Sequence, residues 1–218
     1  MFLLHFKKRK DVRLTSYMDY TSPSAQFTFD VNTSTFFKKD GQNFINLLGN
    51  QQLNTLENMS LLDFSLSANN VIEPHYHQNA AELVYCISGL AKVSMINPFT
   101  KKLQEYEISP GQVANVPQGW WHYVTGIKDR THLLAIFDAP TPEVILGSDI
   151  LKIMPSHVMA HTYCIDEQQW NNTIAPMKQS TNIGPPSDCH TAINSTVTNY
   201  PYYNSYYNHS YYPLGYLY

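Results

Sequence analysis

The chain has 218 residues, enough to bury one good core and short of what two would need. Only 14% of the residues are charged, against about a quarter in an ordinary soluble domain, and the net charge is -3. That balance gives nucleic acid and anionic membrane surfaces nothing to attract, so neither is expected as a partner. Nowhere do about 18 apolar residues run together, so no spanning helix is expected. The three cysteines, Cys86, Cys164 and Cys189, cannot all pair within one chain, and no spacing among them resembles a zinc knuckle or a redox pair. A reduced, cytoplasmic setting follows.

The chain opens on "MFLLHFKKRKDVRL", an apolar patch with Lys7, Lys8, Arg9 and Lys10 behind it. A secretion signal carries its charges in front of a longer apolar run, so none is expected, and Met18 stands beside Met1 as a possible start. Residues 1–26 read as a lead-in. From about Phe27 to Ile165 short strand-like runs follow one another: "NFINLL", "LLDFSLS", "ELVYCIS", "AKVSMI", "LQEYEI", "QVANVP" and "THLLAIF". Turn residues separate them, at Asp40-Gly41, Asn97-Pro98, Ser109-Pro110-Gly111 and Pro117-Gln118-Gly119. Such a series predicts an all-β sandwich or barrel. After Ala139, "PEVILGSDILKIMPSHVMAHTY" places apolar residues at helical intervals, with Pro155-Ser156 opening the second of two short helices. Barrel and helices together are expected over 27–175. Residues 176–218 read as a disordered, low-complexity tail, with nine of the chain's 16 tyrosines between positions 200 and 218.

The chemistry is concentrated in "EPHYHQNAAELVYCISG", residues 73–89. His75 and His77 lie two apart on a strand-like run, so their imidazoles share a face. "QNAA" turns the chain before Glu82, whose face is shared by Val84 and Cys86. Gly89 closes the run where unusual backbone angles are needed. A second block, "GQVANVPQGWWH", ends at His122, which meets the other three side chains if its hairpin lies across the barrel. Three imidazoles and one carboxylate, with no thiolate, suit an octahedral Mn2+ or Fe2+ site with open positions better than a closed structural zinc. Other divalent ions are compatible with the set. The bland alternative is four solvated loop side chains or an empty scaffold.

Together these blocks resemble the cupin family, whose motifs run Gly-x5-His-x-His-x4-Glu-x6-Gly and Gly-x5-Pro-x-Gly-x2-His-x3-Asn. His75, His77, Glu82, Gly89, Gly111, Pro117, Gly119 and His122 stand at the family spacing. Asn69 replaces the first glycine and Gly126 the final asparagine. The resemblance implies a double-stranded β-helix, the cupin jelly-roll barrel, with His75, His77, Glu82 and His122 around one divalent ion.

Within the cupins the first block and "FDAPTPEVILGSDILKIMPSHVMAH" look most like the oxalate decarboxylase and germin branch, here with a single motif pair. The decarboxylases hold their substrate carboxylate with an arginine three residues before the first ligand histidine, and Ile72 stands there instead. Glu143 lies near those enzymes' acidic lid residue and is the candidate catalytic acid or base; its other reading is the first-turn acid of the next helix. Glu73 reads either as a support for a ligand histidine or as a surface charge. One of Trp120 and Trp121 should line the pocket. His157 and His161, four apart, read as packing or surface residues rather than a second metal site.

The function expected is metal-dependent chemistry on a small carboxylate, by a lyase or oxidoreductase that associates with copies of itself. The alternative is a structural component resembling spore-coat proteins, which also carry Tyr-rich, charge-poor ends; the compartment is then the spore coat rather than the cytoplasm.

Overall fold

The computed structural model describes residues 18–177 and 179–189. A short 3-10 turn at Val31–Thr33 leads into ten strands: β1 (Thr35–Lys38), β2 (Phe44–Leu48), β3 (Ser60–Leu66), β4 (Val71–Tyr76), β5 (Glu82–Ser88), β6 (Ala91–Asn97), β7 (Lys102–Ile108), β8 (Val113–Val116), β9 (His122–Gly126) and β10 (Thr131–Phe137). A two-residue strand, β11 (Ile145–Leu146), precedes three helices, α1 (Gly147–Ile153), α2 (Ser156–Tyr163) and α3 (Glu167–Ile174), and β12 (Ile183–Gly184) follows them. The first sheet has the order β1-β2-β3-β10-β5-β8 and the second β11-β4-β9-β6-β7, with β12 also paired to β4. The strand pairs are antiparallel, and the two sheets face each other as a jelly roll, the all-β architecture the strand series predicts.

Alternation explains why these runs become strands. In β10 every other residue is buried, Thr131, Leu133, Ala135 and Phe137, and β5 does the same with Glu82, Val84 and Cys86. Their inward side chains meet Leu66, Ala91, Val93 and Val124 between the sheets. Burying each Leu, Val or Phe there contributes about 1.5–3 kcal/mol. The turns follow the sequence signals. Gly89, Gly111 and Gly119 all have positive φ, and at Gly89 a side chain would also collide with Thr131. Asn97 closes the β6–β7 hairpin by accepting from the amides of Phe99 and Thr100.

The chain after the barrel departs from expectation in two places. A third helix, α3, follows the two expected, capped by Asp166, whose side chain accepts from the amide of Gln169. Beyond residue 175, where the barrel unit was expected to end, the chain returns to the second sheet as β12. Ile183, 1% exposed, joins the core there. The remainder of the expected tail, 190–218, lies outside the described residues, as do residues 1–17 of the lead-in.

Candidate metal centre

The barrel carries its four candidate ligands on three strands and one loop. His75 lies on β4, His77 just after it, Glu82 opens β5 and His122 opens β9. In β4 the odd positions turn inward, so Glu73 and His75 are buried while Pro74 is exposed. An irregularity in the β4–β9 pairing between Ile72 and His75 brings His75 directly opposite His122. The histidine strands are therefore neighbours in one sheet, and it is Glu82 that reaches across from the other. All four side chains are at least 95% buried, and one ligand atom from each lies within 4.8 Å of the others.

Each imidazole is fixed from behind by a backbone carbonyl. His75 Nδ1–H donates to Glu73 O at 2.7 Å, His77 Nδ1–H to Glu143 O at 2.9 Å and His122 Nδ1–H to Trp120 O at 2.8 Å. These bonds occupy Nδ1 and aim all three Nε2 atoms into the same small space. Phe137 packs edge-on against the His77 ring, centroids 4.7 Å apart, and holds its plane. His77 Nε2 is buried without a hydrogen-bond partner, although it lies 3.4 Å from Glu82 Oε2. A buried, unsatisfied nitrogen in a polar cluster is costly unless something ligates it.

The electrostatics are those of a cation site. Burial, reinforced by repulsion from His122, pushes the His75 imidazole down to about 3, so it is neutral. His122 goes the other way. Burial opposes its protonation, but the charge and the 2.7 Å bond of Glu82, with the Trp120 carbonyl, raise its pKa. Burial alone would raise Glu82; the positive charge and hydrogen bond of His122 outweigh it and hold the carboxyl well below the usual range. A divalent ion would substitute for the proton shared by His122 and Glu82 and would satisfy His77 Nε2 as well. The residues present fit such an ion.

Other expected residues are placed less centrally. Glu143 is exposed; its carbonyl holds His77, and its carboxylate accepts from the Gln78 amide at 2.9 Å. It is not a first-turn acid, because α1 begins at Gly147 and carries Asp149 in that turn. Glu73, 6% exposed, is no surface charge. Its carbonyl orients His75, while its carboxylate accepts from the amides of Ser148 at 2.9 Å and Asn182 at 2.6 Å, tying α1 and the segment before β12 to the ligand strand. Local sequence gave no sign of partners that far along the chain. Trp120 packs against the core, whereas Trp121 lies against Gly147. Ile72 also packs against the core, so no cation stands at that position. His157 and His161 are both exposed on α2.

A jelly-roll barrel with three histidines and one glutamate inside it, at this spacing, defines the class. The chain belongs to the cupin family, whose model (Cupin_1) matches residues 30–171. A probable germin-like protein, subfamily 2 member 5, of Arabidopsis thaliana is 28% identical over 141 residues, covering 63% of each chain. Glycinin G4 of Glycine max is 26% identical over 140 residues, 61% of this chain and 24% of the storage protein. The chain thus spans about a quarter of the glycinin and under two thirds of the germin-like protein. Among solved structures, procruciferin, the 11S globulin of Brassica napus, superposes with a TM-score of 0.68 at 19% identity, covering 83% of this chain and 49% of that one. Bacillus subtilis oxalate decarboxylase gives 0.64 at 18% identity, covering 77% and 46%. At such identities the structures establish the fold alone. The storage globulins are relatives that the motifs had not suggested. Among the described residues, no helix is long and apolar enough to cross a membrane.

Proposed function

We propose that the chain is a metal-dependent cupin that binds Mn2+ or Fe2+ through His75, His77, Glu82 and His122 and acts on a small organic acid. The observation that supports it most is the convergence of three carbonyl-locked Nε2 atoms and one carboxylate within 4.8 Å in a buried site. The metal would supply Lewis acidity and open positions for a substrate oxygen. The chain's own residues hold the imidazoles in the ligating tautomer, through Glu73, Glu143 and Trp120, and pack the site's wall beside His77, through Phe137. Glu143 is the proposed acid or base, on an extended segment beside His77. Metal analysis of protein reconstituted with Mn2+ or Fe2+ should find about one ion per chain. Unchanged uptake by the His75→Ala, His77→Ala variant would overturn the site. Turnover of small carboxylates should be abolished by Glu82→Ala and reduced by Glu143→Gln with metal content intact.

The oligomer belongs to the same reading, supported by apolar side chains on and beside the helices, Ile153 at 77% exposure and Tyr163 at 64%. Light scattering on the eluted protein tests it, and a monomer would refute it. The cytoplasm is the proposed setting. The structural, coat-type alternative rests on the Tyr-rich end, outside the described residues; it gains if the loaded protein turns over no carboxylate.

A further inference from the structure

The outer strands of the two sheets, β7 and β8, are both edges, and the barrel wall is not hydrogen-bonded between them. The space they leave is a groove of about 690 Å³, within the range of small-molecule sites. Among the described residues its walls include Met95, Gln104, Tyr106, Ala114 and Trp120, with Glu107 the one charged side chain and no lysine or arginine. The groove adjoins the metal centre through strand register. His75 pairs with His122, His122 with Met95, and Met95 with Gln104, so one row of inward side chains runs from a ligand to the groove mouth. At about 4.8 Å per strand, Met95 is one strand from His122 and Gln104 two. Trp120 lines the groove while its carbonyl holds His122.

Charge limits what can occupy this space. A divalent ion with Glu82 and three neutral imidazoles leaves one net positive charge, which one anionic oxygen donor neutralises. A second carboxylate would find no cation in the groove and Glu107 at its side. Resting on the metal reading, we propose that this groove is the ligand cleft of the centre and takes a monoanionic, oxygen-chelating molecule with an aromatic or long apolar body. The head reaches the ion past Met95, whose unbranched thioether chain can swing aside, and the body lies against Trp120 and Tyr106. Gln104 offers a hydrogen bond to a polar end.

Calorimetric titration of the full chain, manganese-loaded and metal-free, with phenylpyruvate and with oxalate tests this. Phenylpyruvate should bind the loaded protein at least tenfold more tightly than oxalate. Tyr106→Ala and Gln104→Ala, both on an exposed edge strand where folding is not at risk, should each weaken phenylpyruvate several-fold with manganese content unchanged. Oxalate binding as tightly as phenylpyruvate, or affinity unmoved in both variants, overturns the proposal. If manganese is not taken up, the metal reading fails by itself; phenylpyruvate binding that is still lost in Tyr106→Ala then supports the groove, and no binding overturns it.

Discussion

At the scale of single residues, the two positions that depart from the family motif turn out to touch. Asn69 occupies a left-handed conformation with φ 65°, which asparagine tolerates better than most side chains, and its amide donates to Gly126 O at 2.8 Å. Gly126 is needed because a Cβ there would lie 2.7 Å from Ser67 O and 2.9 Å from Leu66 Cβ. Asparagine and glycine have in effect changed places across one hydrogen bond. Asn69→Gly should therefore cost no more than about 1 kcal/mol, whereas Gly126→Ala should cost about 1–3 kcal/mol by overpacking; urea unfolding of the two variants compares them. Glu73 is the other residue with a sharp expectation. Glu73→Ala strands two backbone donors, so a loss of about 2–4 kcal/mol is expected. Its carbonyl support for His75 survives the change, so metal stoichiometry should stay at one per chain while the unfolding midpoint falls.

At the scale of elements, the parts that could be read from sequence were those with their own pattern. The seven quoted runs became β2, β3 and β5 to β8 and β10, because alternation and turn residues act locally. The strands β11 and β12 have two residues each and carry no pattern; they exist because β4 offers them an edge. The helix α3 went unread because its only large apolar residues are Trp170 and Ile174, although Asp166 with Gln169 three residues later is a capping signal. The four ligands were legible from spacing, but which strands are neighbours was not: His122 meets the others from beside His75 in the same sheet, not from across the barrel. The strap formed by β12 has a measurable worth. A chain ending at Cys189 should be more stable than one ending at Ala175 by about 2–4 kcal/mol, from the burial of Ile183 and the bonds to β4 and Glu73. Equal unfolding midpoints would show that the strap contributes nothing.

At the scale of the whole molecule, an ion at the candidate site would link metal binding to folding. An ion that binds only the folded barrel stabilises it by about 2.7 kcal/mol at a free concentration 100 times its Kd. Loading with Mn2+ should therefore raise the melting temperature of the native protein, and chelation should return it. The His75→Ala, His77→Ala variant should melt at one temperature in both conditions. The groove, by contrast, was invisible in sequence, since an open wall between β7 and β8 follows from the strand order of both sheets at once.

The division of the ligands has a mechanical side. The histidines belong with the second sheet and Glu82 opens a strand of the first, so an ion held by all four would be a rivet through two plates that are not paired along the β7–β8 seam. Without the rivet, the 2.7 Å bond between Glu82 and His122 is what crosses between the plates here, and the β7–β8 seam is where a looser joint would first show. Loading a metal and setting the width of the groove would then be one adjustment, made from inside the barrel.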